Sequence, residues 1–565
     1  MIFESGRYRE LELFALSYEG KEGSVSLLRP DGTCEEKKAG IAGYRWIRFS
    51  LQEGTSYEAV FENTRISLAY LSDSDDLMEE GIRLLLTDNG KPPLMAEGIY
   101  RDQYHFAPPA GWMNDPNGLC WYRGRYHMFY QYNPHGQEWN NMYWGHAVSR
   151  NLVHWTLLPV VLEPQEYLLE TKDFRGGAFS GSAWPEEDKV VFALTRNCCK
   201  RGEQAPEEIQ TVFTSQDMIH FEKESLILNQ KPDGAHSDWR DPKIWKAGGK
   251  WYLVLGGGLD GYPAIFFYGS HGDALGPWKY KGVLLSDREH KGAGFECPDF
   301  FQIGDMCVAV GALFRYTDKN GRYQPIRYYL GKLRENLQSG EDLNGEAFAI
   351  TASGMYDFGG NFYAVQSFEG MGRRIAIGWI ADFYKEHRVV RNGVYGSMSI
   401  PRELSVRENR LYMKPVKEIY HLKEQKLYEG SKEEVLLDIP GKTYYCRIEI
   451  DGSSDFSLLL GRELHGTEGS SSISLIKAGG PVYVKTVGTG SEHIRFYSDV
   501  VQVQSLEIFV DRRTVEVFLN DGEAAASNVF YSQEENGRLE TAFVDPERVR
   551  HMEVWTMESI WKERR

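Results

Sequence analysis

Apolar and polar positions alternate every second residue along much of this chain, the mark of strands with one buried face. The alternation is clearest in Leu506-Glu-Ile-Phe-Val-Asp-Arg-Arg-Thr-Val-Glu-Val-Phe-Leu519. There Ile508, Val510, Val515, Val517 and Leu519 alternate, and Asn520-Asp521-Gly522 supplies the turn. Three other stretches match one another more closely. They are Asp115-Pro-Asn-Gly-Leu-Cys-Trp-Tyr-Arg-Gly-Arg-Tyr-His-Met-Phe-Tyr130, Asp241-Pro-Lys-Ile-Trp-Lys-Ala-Gly-Gly-Lys-Trp-Tyr-Leu-Val-Leu255 and Glu296-Cys-Pro-Asp-Phe-Phe-Gln-Ile-Gly-Asp-Met-Cys-Val-Ala-Val310. Each opens on a carboxylate, runs apolar, turns at a glycine and runs apolar again. One unit has been reused, and each copy starts in an acidic tripeptide: Asn114-Asp115-Pro116, Arg240-Asp241-Pro242 or Glu296-Cys297-Pro298.

The spacing predicts a closed radial repeat. Asp115 and Asp241 are 126 residues apart, two units, and Asp241 and Glu296 are 55 apart, one shorter unit. Phe179-Ser180-Gly181-Ser182 and Asn361-Phe362-Tyr363-Ala364 fill the remaining intervals, giving five unit starts. A second repeat runs out of phase, with Ser149-Arg-Asn-Leu-Val-His-Trp155 matching Ser215-Gln-Asp-Met-Ile-His-Phe221. Short strands in units of several tens of residues, with no long amphipathic helix between them, predict a β-propeller of five blades over residues 99–410. Residues 1–98 read as a separate β-rich module, with turn signals at Pro30-Asp31-Gly32 and Asp88-Asn89-Gly90 around runs such as Trp46–Leu51 and Ile66–Leu71. Leu411-Tyr-Met-Lys-Pro-Val-Lys-Glu418 reads as a connector, and residues 411–565 as a C-terminal β-sandwich docked firmly on the propeller. The expected fold is therefore all-β throughout.

Composition narrows the functions. A formal charge of −17 argues against nucleic acid or an anionic membrane as partner. No stretch approaches the length of an apolar membrane span, and Met1–Glu10 lacks a signal peptide's apolar core. Seven scattered cysteines without zinc-like spacing fit a reducing cytoplasm. The high aromatic content, 13%, suits strands first and a sugar-binding surface second.

Three carboxylates brought to one axis are costly unless a reaction needs them. Acetal hydrolysis needs two, with pKa values pushed apart by their surroundings. Glu296, between Phe295 and Cys297, is the expected general acid with a raised pKa. Asp115, beside Asn114 and Pro116-Asn117-Gly118, is expected to stay ionised as a nucleophile. Asp241 is expected to be held anionic by Arg240, to accept hydrogen bonds from sugar hydroxyls and to stabilise a cationic transition state. Each tripeptide alone is ordinary turn chemistry; the three at regular intervals are far more specific.

Longer motifs surround these acids. Trp112-Met-Asn-Asp-Pro-Asn-Gly118, Phe129-Tyr-Gln-Tyr-Asn-Pro134, Trp144-Gly-His-Ala147, Phe179-Ser-Gly-Ser182, Trp239-Arg-Asp-Pro242, Phe295-Glu-Cys-Pro298 and Phe362-Tyr-Ala-Val-Gln366 resemble, in order, glycoside hydrolase family 32, which includes invertases, levanases and inulinases. The resemblance covers residues 99–565. It implies a five-bladed propeller followed by a sandwich, and a retaining double displacement on a terminal β-fructofuranosyl unit without metal or cofactor. It implies Asp115 as nucleophile, Glu296 as acid/base and Asp241 as transition-state stabiliser. Asn114, Gln131, Trp139, Phe179, Ser180, Arg240 and Cys297 fall where the family shapes its fructose pocket, and Trp379 where it closes it. His127, His146 and His154 read as structural, since this reaction needs no imidazole. Tyr143 replaces a frequent histidine, Phe383 stands where a second tryptophan is common, and 384–398 depart from the usual loop; these changes fall at the rim, where leaving-group specificity is set.

The expected activity is an exo-acting β-fructosidase on sucrose or short fructo-oligosaccharides; a phosphate ester of sucrose stays open, although no phosphate-binding cluster stands out in the sequence. Fructosyl transfer, to another sugar or within one molecule, shares the same covalent intermediate and stays open. A retired scaffold that only binds fructans is a remote third reading, because all three acids are present. The retaining chemistry requires the Asp115 and Glu296 carboxyls about 5–5.5 Å apart. The N-terminal module and the C-terminal sandwich are the surfaces through which a homo-oligomer would form.

Overall fold

The computed structural model describes the whole chain except residues 88–97, 204–205, 335–345, 385–393, 432–433, 453, 463–470 and 562–565. The Asp88-Asn89-Gly90 turn signal and most of the divergent 384–398 segment lie outside the described residues. The rest is all-β, and its longest helix, Lys417–Leu422, has six residues.

Residues 2–87 form two four-stranded sheets. One orders Ile2–Glu4, Ser56–Glu62, Gly23–Leu28 and Cys34–Ile41; the other orders Tyr44–Ser50, Glu10–Ser17, Thr64–Ser72 and Arg83–Thr87. Pro30-Asp31-Gly32 makes its predicted turn, with Gly32 at φ +84° and the Asp31 carboxylate accepting from the Thr33 N–H. The strand Glu10–Ser17 shows how the module is seated. Leu11, Leu13 and Ala15 face the module's own core. On the opposite face Phe14 stacks on Trp46 and meets Tyr143 edge-on, burying the module against the next sheet. Both faces are buried, which fixes the strand's register.

Five sheets follow between Gly111 and Pro415, each built on four strands that neighbour one another in chain order. Their first strands are Gly111–Tyr122, Phe174–Pro185, Ala235–Ala247, Gly294–Ile303 and Phe362–Gly370. Each first strand contacts the next one in sequence, and the fifth contacts the first, so the five strands surround one axis. Val394–Tyr395 pairs with Gly111–Trp112 and ties the end of the ring to its beginning. One boundary differs from the sequence reading. Arg410–Pro415 is no connector but the last strand of the fifth sheet, paired with Arg402–Arg407 and burying Leu411 and Met413. A single short apolar alternation beside Pro415 was too brief to mark it as a strand. The link to the next unit is the turn of helix at Lys417–Leu422.

Two six-stranded sheets complete the chain. Ile508, Val510, Val515, Val517 and Leu519 enter the core between them, as the alternation predicted. The hairpin turns at Arg512-Arg513, where Asp511 faces Thr514; Asn520-Asp521-Gly522 makes the following turn instead. The opposite face of this hairpin docks on the ring. The Asp511 carboxylate accepts from the backbone N–H groups of Gln103, Tyr104 and His105 at 2.6, 2.8 and 3.0 Å. Glu516 accepts from Ile400 N–H at 2.6 Å and from the Arg402 guanidinium at 2.7 Å.

Candidate active site

The same irregularity interrupts all five first strands. Between Met113 and Pro116, Ala178 and Gly181, Arg240 and Lys243, Glu296 and Asp299, and Tyr363 and Gln366, the first strand advances three residues while its partner advances two. This is a β-bulge repeated around the ring, and a bulge re-aims the side chains it carries. In the last three sheets the inserted residue has a left-handed backbone: Asp241 at φ +63°, Cys297 at +50° and Ala364 at +52°. Such conformations in non-glycine residues persist only when the surroundings impose them.

The register corrects the way the sequence lines up the acids. Pro116 stands level with Lys243 and Asp299, not with Pro242 and Pro298. Glu296 therefore precedes its bulge, Asp241 is the first inserted residue, and Asp115 is the second. Three carboxylates from three different steps of one motif reach one cavity. Its volume is about 460 Å³, and its walls include Asn114, Asp115, Gln131, Trp139, Phe179, Ser180, Arg240, Asp241, Glu296 and Trp379. Every residue expected at the site lines it except Cys297, which is buried just behind, its thiol 3.5 Å from the Asp115 carboxylate.

The partners of the three acids differ. Asp115 accepts from Ser180 Oγ at 2.5 Å and from Asn114 Nδ2 at 3.0 Å, and Asn114 is itself fixed by the Trp112 indole N–H. Glu296 is held on both oxygens, Oε1 by Arg240 Nη2 at 2.8 Å and Nε at 3.2 Å, Oε2 by the Tyr363 hydroxyl at 2.6 Å. Asp241 accepts from the Cys297 N–H at 2.8 Å, and its own N–H donates to Thr195 Oγ1 at 3.0 Å. Gln131 donates an amide N–H to the Ala178 carbonyl at 2.8 Å and so braces the wall. Trp139 lies between Phe179, edge-on at 5.9 Å, and the Arg175 guanidinium.

Burial raises the Glu296 carboxyl above its ordinary range, against the opposing charge of Arg240, as its apolar context predicted. Asp241 departs from expectation. Burial pushes it well above the usual carboxylate range despite the Arg240 charge, and the neighbouring Glu296 and Asp115 charges add to the rise. The reason is geometric. Arg240 adjoins Asp241 in sequence, but its guanidinium forks onto Glu296, Glu208 and Asp238 instead. His127 and His146 share a hydrogen bond of 3.1 Å, and burial lowers both; His154 lies on an exposed turn.

The sequence reading missed Tyr363, Glu208 and Asp238 as site residues. Tyr363 had a signal in its place at the start of the fifth repeat, Asn361-Phe362-Tyr363-Ala364, but the bulge step it shares with Glu296 shows only in the strand register. Glu208 sits in the third strand of the second sheet and reaches Arg240 only through the packing of neighbouring sheets.

Comparisons with known proteins identify the family. Residues 105–415 match the glycosyl hydrolases family 32 N-terminal domain, and residues 417–556 the family 32 C-terminal domain. A sucrose-6-phosphate hydrolase of Escherichia coli is 32% identical over 77% of this chain and 90% of that protein. A levanase of Bacillus subtilis is 28% identical over 82% of this chain and 71% of that protein. A glycoside hydrolase family 32 structure from Bifidobacterium adolescentis superposes with a TM-score of 0.93 at 32% identity, covering the whole of both chains. A β-fructofuranosidase of Bombyx mori gives 0.69 at 26% identity over 83% of this chain and 96% of its own. The chain is a glycoside hydrolase and belongs to glycoside hydrolase family 32.

Proposed function

We propose that the protein is an exo-acting, retaining β-fructofuranosidase that releases terminal fructose from sucrose or short fructo-oligosaccharides. In this reading the five sheets around the axis are the five blades of a propeller, and their bulges hold the catalytic groups. The observation that carries the proposal is the meeting of Asp115, Asp241 and Glu296 in one cavity with three different sets of partners.

Glu296, its carboxyl raised by burial, donates its proton to the glycosidic oxygen as the C2–O bond breaks. Asp115 attacks C2 from the opposite face, and the fructosyl unit becomes an ester of its carboxylate. Glu296, now ionised, takes a proton from water, and the water oxygen displaces Asp115 from C2 with net retention. Arg240 and Tyr363 stabilise the ionised form of Glu296, which favours its proton donation in the first step and holds the carboxylate in place for the second. Asp241 hydrogen-bonds the sugar hydroxyls. Its ionised form is favoured as positive charge develops on the ring, so its attraction grows toward the transition state. A neutral sugar suits the cavity, whose charged lining holds more carboxylates than guanidinium groups. The seven free cysteines fit a reducing compartment.

The test is proton NMR of the purified protein with sucrose, a β-2,1 and a β-2,6 fructo-oligosaccharide, followed from the first minutes. Free fructose is the expected product. New oligosaccharides or anhydrides without matching fructose would mean transfer, and no change in any substrate would reject the assignment.

A further inference from the structure

A second, larger cavity of about 940 Å³ lies where the N-terminal module meets the ring, and Trp139 lines both cavities. Its module wall is the segment Leu16–Glu22 with Ala42–Tyr44; its ring wall is Glu138–Asn141 with Leu168–Lys172 and Arg201. The module touches the ring closely here. The Gly43 backbone passes so near Leu169 that an added Cβ would lie 2.9 Å from its carbonyl oxygen, at φ +69°. Gly43 and Ser17 hold each other by two hydrogen bonds, and the Asn141 amide fixes the facing segment through the Leu168 carbonyl at 2.9 Å and the Gly176 N–H at 3.2 Å. Glu19 and Lys172 form an ion pair across the cleft at 2.8 Å. The cleft is therefore braced on both sides.

Its chemistry is that of a surface for neutral sugars. Four carboxylates balance four cations along its lining, so no net charge selects an ion. Tyr18 presents its ring to solvent, 53% exposed, although its backbone is held by the Asn63 carbonyl and the Lys21 N–H. An exposed aromatic on an anchored turn, in one lining with Asn140 and Trp139, offers an apolar ring face beside neutral polar groups, the kind of surface that sugar rings use. The volume lies in the range of ligand sites.

We propose that this cleft is a distal carbohydrate subsite, which holds the units beyond the scissile bond of a fructo-oligosaccharide whose terminal fructose occupies the ring cavity. The inference rests on the fructosidase reading and adds a chain-length preference built by the N-terminal module. Trp139 forms the shared wall past which the saccharide runs, and Tyr18 is its outer platform.

The test is titration calorimetry on full-length Asp115→Asn with sucrose and with β-2,1 and β-2,6 oligosaccharides of three to five units. Affinity should rise at least tenfold from sucrose to the longest member of one series. Adding Tyr18→Ala should cut that rise to threefold or less. A flat series, or a rise that Tyr18→Ala leaves intact, overturns the subsite. Fructose release from sucrose by the unsubstituted protein is measured beside it. Release without length dependence rejects the subsite alone; length-dependent, Tyr18-dependent binding without release rejects the fructosidase reading and leaves the subsite standing.

Discussion

Two clusters of buried carboxylates lie in this molecule, one at the centre of the ring and one in the seam between ring and C-terminal sheets. They use the same residue types, and they differ in how cations are shared. In the seam, Arg402 donates to Glu516 and Asp357, Arg513 pairs with Asp102, and His105 bridges Asp511 and Glu516 at 2.8 and 3.0 Å. Burial acts to raise Glu516, but Arg402 and His105 reverse it and leave that carboxyl below its ordinary range, while burial still raises Asp357 and Asp102 beside it. At the ring centre Arg240 is divided among Glu208, Asp238 and Glu296, with Arg315 reaching only Asp238 at 3.9 Å, and burial prevails at Glu296 and Asp241. Charges closed between two packed units make a fastening. Charges that line a cavity make groups ready to exchange protons.

Asp115→Asn should break this contrast at its widest point. The expected loss in kcat is about 10⁴-fold or more, as for other nucleophile deletions, with the unfolding transition little changed. Steady-state kinetics with sucrose and a denaturant melt, run together, check both halves.

Removal of a seam cation should do the reverse. Arg402→Met leaves Glu516 and Asp357 buried without their partner and should cost about 3–5 kcal/mol of stability. Denaturant unfolding measures the cost, and the fraction that remains folded should keep its kcat.

The pH dependence of stability sharpens the comparison further. His105 is buried, which lowers its pKa, but Asp511 and Glu516 on the facing strands raise it overall to about 10. A folded pKa above the unfolded value gives stability that is full below about 6.5 and is lost as pH rises toward 10. Its slope is about 1.4 kcal/mol per pH unit, so going from pH 7 to 9 should cost roughly 2–3 kcal/mol. Chemical melts at both pH values should show that fall, and His105→Gln should flatten it.

The smallest effect belongs to Tyr363. Its hydroxyl favours the charged form of Glu296. Tyr363→Phe should lower kcat/KM by about tenfold, one hydrogen bond to a charged group. It should also move the alkaline limb of the rate profile to higher pH, because Glu296 must be protonated to act first. A loss without that shift would make Tyr363 a packing residue only.

Much of this was legible in the sequence because the acids sit in repeated, strongly patterned units. The five unit starts and the raised Glu296 follow from repeats and local context, and the cavity residues from the motifs that resemble family 32. Other features do not. A bulge leaves the apolar pattern almost unchanged, so the one-residue offset among Asp115, Asp241 and Glu296 was invisible. Sequence adjacency assigned Arg240 to Asp241, whereas long side chains choose partners in space. Glu208 and Tyr18 act across interfaces between separate sheets, and no local pattern announces such meetings. Leu411–Pro415 was too short to be distinguished from a linker.

The account's central claim is a double displacement through a fructosyl ester of Asp115. Its most direct measurement is the anomeric configuration of the methyl fructoside formed when sucrose is cleaved in aqueous methanol, read by carbon NMR. Methyl β-D-fructofuranoside is the predicted product, since two inversions restore the starting configuration. The α-anomer would contradict the account and would require a single displacement in place of the Asp115 ester.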